Sequence, residues 1–438
     1  MDKKIDKFLS SVCRYIKNKE VHKEVCEELK SHIYEIVEEY EESGLTEEEA
    51  INKAIERMGN PNDIGEKLNK VHKPKIDWIN IGLITIMMLI GLSINLFLNS
   101  YQLSGEVFYR KFFLYEKIKE IFIETLVVIS LYFFDYRKLQ KHSYKIYIFS
   151  IGILTLNLID RNNKINEFIL GIFENSDIVS IIIPILLISI VGIIFLEFNE
   201  ISEKIIFDKC KFIKIISILI SPIILIGATE QMGKLLLYFL VINVILICSN
   251  LKKKYKINVA LMETIIFVIS FVKIVILSSY RRMSLFGFLR PEKYIESSGN
   301  FYLNIKENIK SLSLFGEKFN QSDYLYYNMV DNDLIINYIL KSFGIIGLIF
   351  ILFLIVFFVI RNFKNIFKVK DSYGKFLVIC IFCIFTIEFI MSLLFNFGLS
   401  PISYGLPFIS QGKGNIIIIM VMTGLMLSVY RRKNIVLF

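Results

Sequence analysis

Asp333 stands where an irregular segment turns into a long apolar run, NDLIINYILKSFGIIG (332–347). A carboxylate at a helix mouth can act in three ways. It can accept a proton from an attacking hydroxyl. It can hold a divalent cation, Mg or Mn, against a departing anion. Or it can merely complement the helix N-terminus, which is worth a few tenths to about 1 kcal/mol. Upstream, RRMSLFGFLRPEKYIESSGNFY (281–302) carries Arg281, Arg282 and Arg290. Guanidinium groups match phosphate oxygens bidentately, and the same residues also suit a solvated basic loop. Downstream, NFGLSPISYGLPFISQGKGN (396–415) places four glycines and two prolines between two apolar spans. Such backbone is tolerated beside a bilayer only where it is buried in protein or lines a polar cavity. Glycine and proline permit a re-entrant path whose N–H groups face an anion. Ser403, Pro407 and Ser410 lie along that path, and Lys413 adds a phosphate contact; packing alone is the competing reading. Lys273 and Glu388 are charges inside apolar spans. Charge there is costly and faces a partner or a cavity. The two are therefore expected to pair near an outer pocket, or else to reach water separately.

These residues must be positioned by membrane helices. The chain has 438 residues, is 54% apolar with 38 Phe, and has a mean hydropathy of +0.54, too apolar for one soluble domain. Ten apolar spans follow residue 75, at about 77–98, 117–134, 144–160, 178–198, 211–228, 232–249, 257–278, 334–360, 374–395 and 414–430. Each approaches the roughly 20 residues a helix needs to cross. Trp78 and Lys75 anchor the first at an interface, and Pro184 and Pro222 are expected to kink theirs. Lys/Arg clusters fall between spans two and three (Arg137, Lys138, Lys141, Lys145), six and seven (Lys252, Lys253, Lys254, Lys256), eight and nine (Arg361, Lys364, Lys368, Lys370), and after the tenth (Arg431, Arg432, Lys433). With ten spans all these segments share one side. That side is cytoplasmic by the positive-inside rule, with both termini inside and the long connection 279–333 outside. The net charge of +9 is then membrane flanking, and no nucleic-acid partner is expected.

Residues 1–75 are polar and read as a cytoplasmic bundle of short helices, not as a cleavable signal peptide. Ile5, Phe8, Leu9, Val12, Tyr15 and Ile16 form one helical face, and Val25, Leu29, Ile33, Ile36 and Val37 another. Gly44 stops the second helix, and Thr46 with Glu49 makes a capping box for the third. Gly59 and Pro61 end that one, and a fourth short helix leads to the membrane. No catalytic constellation is visible in this part. None of the six cysteines falls in an outer segment, so no disulfide framework is expected. The Cys380-x-x-Cys383 pair lies in an apolar span without the polar access that redox or zinc chemistry needs. The four histidines are scattered and suggest no metal site.

From residue 77 to 433 the chain resembles the FtsW/RodA/SpoVE family (shape, elongation, division and sporulation). The match rests on the Asp333 segment with Gly344 and Gly347, on GLSPISYGLPFIS, and on the arginine-rich stretch ending in Phe288-Leu289-Arg290-Pro291. It implies an all-α polytopic membrane protein of about ten transmembrane helices in the bacterial cytoplasmic membrane. It also implies a peptidoglycan glycosyltransferase that polymerises lipid II beside a class B penicillin-binding protein, in division, elongation or sporulation. Asp333 would be the catalytic carboxylate, the arginines pyrophosphate-side donors, and the 398–414 loop the pocket wall. Several positions depart from the family pattern. Lys341 and Ser342 replace an acidic pair, Leu303 and Lys306 replace glutamines, and Ser410-Gln411-Gly412-Lys413 replaces a serine-tyrosine-glycine-glycine run. FENSDIVS (173–180) keeps Ser176 with Asp177 for a glutamate, and ATEQMGK (228–234) keeps Gly233 with Gln231 for an aspartate. Two further functions stand beside the enzyme: a flippase for lipid-linked precursors, and a non-catalytic scaffold or regulator of a penicillin-binding protein. EELKSHI and GLTEEEAINKAIERMGNP resemble the prefix domain of some Firmicutes membrane proteins and permeases.

Overall fold

The computed structural model describes residues 2–17, 19, 22–71, 76–102, 107–159, 178–198, 209–249, 251–296, 298–310, 313–316, 331–410 and 413–433. Those residues form sixteen α-helices and no strand. The chain divides into two compact units. One comprises 1–77 with 367–375 and 429–438, the other 78–366 with 376–428.

The first unit contains α1 (Asp2–Arg14), α2 (His22–Glu42), α3 (Glu47–Met58) and α4 (Pro61–Val71). The apolar faces read from the 3.6-residue period meet in one core of Ile5, Phe8, Leu9, Val12, Ile33, Ile36, Val37, Ala50, Ile51 and Ala54. The α3 start is a capping box: Glu49 accepts the Thr46 N–H at 3.2 Å and its hydroxyl at 2.7 Å. Cys13 is buried against Cys26, and both are free thiols.

The second unit holds the membrane helices: α5 (Trp78–Gln102), α6 (Val107–Phe133), α7 (Arg137–Ile159), α8 (Ile178–Phe198), α9 (Lys209–Ala228), α10 (Met232–Cys248), α11 (Lys253–Leu277), α14 (Ile335–Ile366), α15 (Ser372–Asn396) and α16 (Lys413–Arg431). Each expected span is a helix. Residues 178–197, 253–277, 335–366 and 372–396 are long and apolar enough to cross a bilayer on length and composition alone. Shorter apolar stretches occupy 78–94, 213–228, 232–248 and 415–431. On α11, Leu261, Ile265, Val268, Ile269, Val272 and Ile276 form an exposed apolar stripe, a surface suited to lipid rather than water. Where helices meet, buried polar groups pair between them. Asn80 of α5 donates to Asn362 of α14 at 3.0 Å, and Tyr238 of α10 donates to the Leu219 carbonyl of α9 at 2.9 Å.

Pro184 and Pro222 sit inside α8 and α9, which continue through them. The backbone break lies instead in α14, at Gly344 (φ 66, ψ −160). This conformation is open only to glycine. The break leaves amides without helical acceptors, and the irregular segment 313–316 supplies them. Ile345 N–H donates to Ser313 O at 3.1 Å and Ile346 N–H to Leu314 O at 3.4 Å. A side chain at Gly344 would stand 2.5 Å from those two carbonyl oxygens. The connection between α11 and α14 also carries two helices of its own, α12 (Ser279–Leu289) and α13 (Ser298–Lys310). The second docks on the membrane helices through Phe301 against Phe395 (5.4 Å between ring centres) and Asn308 donating to Asn337 at 3.0 Å.

Candidate functional site

Asp333 lies in a 3₁₀ turn, Asp331–Leu334, that opens directly into α14. Its position is fixed from the end of α15. Asn396, 2% exposed, accepts the Asn337 N–H at 3.0 Å and donates to the Asp333 carbonyl at 2.8 Å. One amide side chain therefore satisfies an orphan donor of the α14 start and ties the turn to α15. The 398–410 loop then passes close by: a Cβ on Gly405 would lie 3.3 Å from Asp333 Oδ1.

That loop is held at several points. Tyr404 donates its hydroxyl proton to the Gly233 carbonyl at the start of α10. Leu406 N–H donates to Ser410 Oγ at 2.7 Å while Ser410 N–H returns to Leu406 O at 2.8 Å, closing the turn around Pro407. Phe408 adopts φ 68 and packs among Phe358, Phe385 and Phe389, with ring centres 5.5, 5.3 and 6.4 Å away. A left-handed phenylalanine costs free energy, and three aromatic contacts hold it there.

Between Asp333, the loop and the ends of α8, α10 and α12 is a polar cavity of about 170 Å³. Asp333, Arg281, Gln231, Lys234, Ser403 and Tyr404 border it. A smaller cavity of about 50 Å³ adjoins it, sharing Asp333, Lys234 and Tyr404 and adding Glu388 and Ser410. The Lys234 ammonium lies over the Tyr404 ring, 5.1 Å from its centre, a cation–π contact. The arrangement thus sets two carboxylates, Asp333 and Glu388, beside two cations, Lys234 and Arg281. A base and a pair of phosphate-binding cations in one partly enclosed space suit displacement of a phosphorylated leaving group by a hydroxyl.

Asp333, Arg281, Glu388, Ser403 and Ser410 therefore come together. Pro407 is buried inside the loop turn and borders neither cavity. Arg282 is exposed and donates to the Ile276 carbonyl at 3.1 Å, and Arg290 is exposed where α12 ends. Neither reaches the cavity. The Lys273–Glu388 pairing is not formed. Lys273 is exposed on α11, and the cation facing the buried Glu388 is Lys234. Lys413 begins α16, but its side chain, like Ser176 and Asp177, lies outside the described residues. The sequence reading passed over Lys234, although a lysine in the first turn of the apolar run MGKLLLYFLVINVILIC carried the signal. It also passed over Asn396, whose role depends on contacts across helices.

The family model for the FtsW/RodA/SpoVE cell cycle proteins matches residues 76–435. Two curated relatives carry the name "Probable peptidoglycan glycosyltransferase FtsW". The one from Bacillus subtilis is 27% identical over 214 residues, covering 47% of this chain and 53% of that protein. The one from Trichlorobacter lovleyi is 27% identical over 161 residues, covering 36% and 42%. The chain thus spans about half the length of the curated relatives it matches. Among solved structures, a chain from work on structural coordination of polymerization and crosslinking by a peptidoglycan synthase complex superposes with TM-score 0.58 at 15% identity, covering 82% of this chain and 98% of that one. The Rod shape determining protein RodA of Thermus thermophilus superposes with TM-score 0.51 at 13% identity, covering 82% and 97%. At these identities the structural likeness concerns the fold.

Proposed function

This chain belongs to the FtsW/RodA/SpoVE family of cell cycle proteins, and from that premise we propose that it is a peptidoglycan glycosyltransferase that polymerises lipid II at the outer face of the bacterial cytoplasmic membrane. The observation that carries this is the placement of Asp333 at the edge of a cavity that also holds Lys234 and Arg281. The Asp333 carboxylate accepts the proton of an acceptor sugar hydroxyl as its oxygen bonds to the anomeric carbon of the donor. The bond from that carbon to the pyrophosphate oxygen breaks, and the electron pair leaves with the lipid pyrophosphate. Lys234 and Arg281 take up that charge.

A divalent cation, Mg or Mn, fits this site where substrate phosphates complete its shell. Among the described residues no three metal-ligating side chains cluster, but Asp333 and Glu388 line one cavity, and magnesium is commonly held by one or two carboxylates plus phosphates. Such a cation would add positive charge on the phosphate side. The Lys/Arg clusters of the short loops support an orientation with both termini in the cytoplasm. A class B penicillin-binding protein is the proposed partner, crosslinking the strands made here.

The test is polymerisation of fluorescent lipid II by the purified protein, alone and with candidate class B partners, for wild type and Asp333→Asn. Glycan from wild type, and about 10²–10⁴-fold slower polymerisation by the variant, is the expected outcome. No glycan from either, under conditions where another family member is active, would reject the enzyme in favour of the flippase or scaffold.

A further inference from the structure

A second group of charges lies inside the membrane unit, on α6. Lys117 donates to Glu120 at 2.7 Å, both largely buried, and Glu124 follows one turn deeper, 6% exposed. All three border a separate cavity of about 130 Å³ between α5, α6 and the beginning of α16. Among the described residues Glu124 takes no hydrogen bond and makes no ion pair. Lys117 attracts it only from beyond contact distance; a buried carboxylate with no direct partner is costly, so this one calls for an occupant of the cavity.

The chemistry of the lining narrows the occupant. The hydroxyls of Thr85 and Thr125 border the same space. Each has given its proton to the carbonyl four residues back, at 2.8 Å, which leaves oxygen lone pairs as what they can offer. Carboxylate and hydroxyl oxygens form a hard donor set suited to hard cations. With Glu124 ionised, Lys117, Glu120 and Glu124 together carry one net negative charge, which one positive charge neutralises. The volume admits an ion with water. The far wall of the cavity is the 398–410 loop, through Phe408 and Ile409. There α5 touches it directly: a Cβ on Gly91 would lie 2.9 Å from Ile409 Cα. The same loop walls the Asp333 cavity through Tyr404, Gly405 and Ser410.

We propose that this cavity binds one monovalent metal cation of the sodium class, held by the Glu124 carboxylate, on the opposite side of the loop from the Asp333 site. The assignment does not depend on the polymerase reaction. It is tested on the purified full-length protein with ²²Na⁺ binding, and with thermal unfolding in NaCl against choline chloride at constant ionic strength. Wild type is expected to bind one sodium per chain and to melt at a higher temperature in sodium. Glu124→Gln is expected to lose at least tenfold in sodium affinity and to melt at the same temperature in both salts. Asp333→Asn is expected to keep the wild-type response, which separates this cavity from the other. Absence of sodium binding to wild type, or an undiminished response in Glu124→Gln, would overturn the assignment. So would a response to pH in place of sodium that Glu124→Gln abolishes, since the site would then take a proton. If Glu124→Gln fails to fold, the stoichiometry on wild type decides alone.

Discussion

A positioned general base contributes about 10²–10⁴ in rate, so Asp333→Asn should lower lipid II polymerisation by that range while leaving the melting temperature near wild type. Lys234 acts on the other end of the reaction. Lys234→Ala removes a cation from the leaving-group side and should lower turnover in the same assay, whereas Lys273→Ala, on the exposed face of α11, should leave it unchanged. Equal effects of the two lysines would contradict the placement of Glu388 opposite Lys234. In the first unit, burial, with the Cys26 sulfur beside it, pushes the Cys13 thiol up to about 12. The reactive form is the thiolate, and the folded-state value lies above the ordinary one, so the neutral thiol persists at every pH below about 12. Cys13 should resist alkylation at pH 8 in the folded protein and react once the protein is denatured, as read by mass spectrometry of the labelled peptides.

At the scale of elements, the break in α14 and the joint between α14 and α15 set the geometry of the site. Gly344→Ala forces a side chain into a glycine-only conformation, at about 1–3 kcal/mol, and drives a methyl group against the Ser313 and Leu314 carbonyls. The expected result is a lower melting temperature together with lost activity, because residues 313–316 can no longer supply acceptors to Ile345 and Ile346. Asn396→Ala leaves the buried Asn337 N–H unpaired, worth about 1–3 kcal/mol, and frees the turn that carries Asp333. It should depress turnover more than Asn80→Ala, which removes a buried hydrogen bond between α5 and α14 away from the cavity. Equal losses would show that Asn396 acts through stability alone.

For the whole molecule, the cavity is built only from residues of the second unit. A chain beginning at residue 76 should therefore polymerise lipid II in vitro as the full chain does, and residues 1–75 would serve contacts or regulation in the cell. The proposed orientation makes a separate prediction. A membrane-impermeant maleimide should label Lys310→Cys from outside intact cells, and Lys254→Cys only after permeabilisation. The reverse pattern would invert the topology and remove the cavity from the outer face.

Ten membrane helices, the polar N-terminal bundle, the capping box at Thr46 and Glu49, and Asp333 at a helix mouth were determined by the sequence alone. Each is a local property: a run of apolar residues, a 3.6-residue period, a polar residue at a boundary. What the tertiary structure decided is which side chains share a space. Lys234 and Lys273 both lie in apolar spans, but only the rotation and packing of α10 and α11 bring one of them to Glu388 and leave the other exposed. The break at Gly344 rather than at Pro184 or Pro222 follows the same logic. At Pro222 the freed Ile218 carbonyl accepts the Tyr147 hydroxyl of α7 at 3.0 Å and the helix continues, whereas the amides freed at Gly344 take their acceptors from residues 313–316, far away in sequence. Glu124, without a direct partner in its cavity, became visible as a candidate site only once α5, α6 and the 398–410 loop were packed around it.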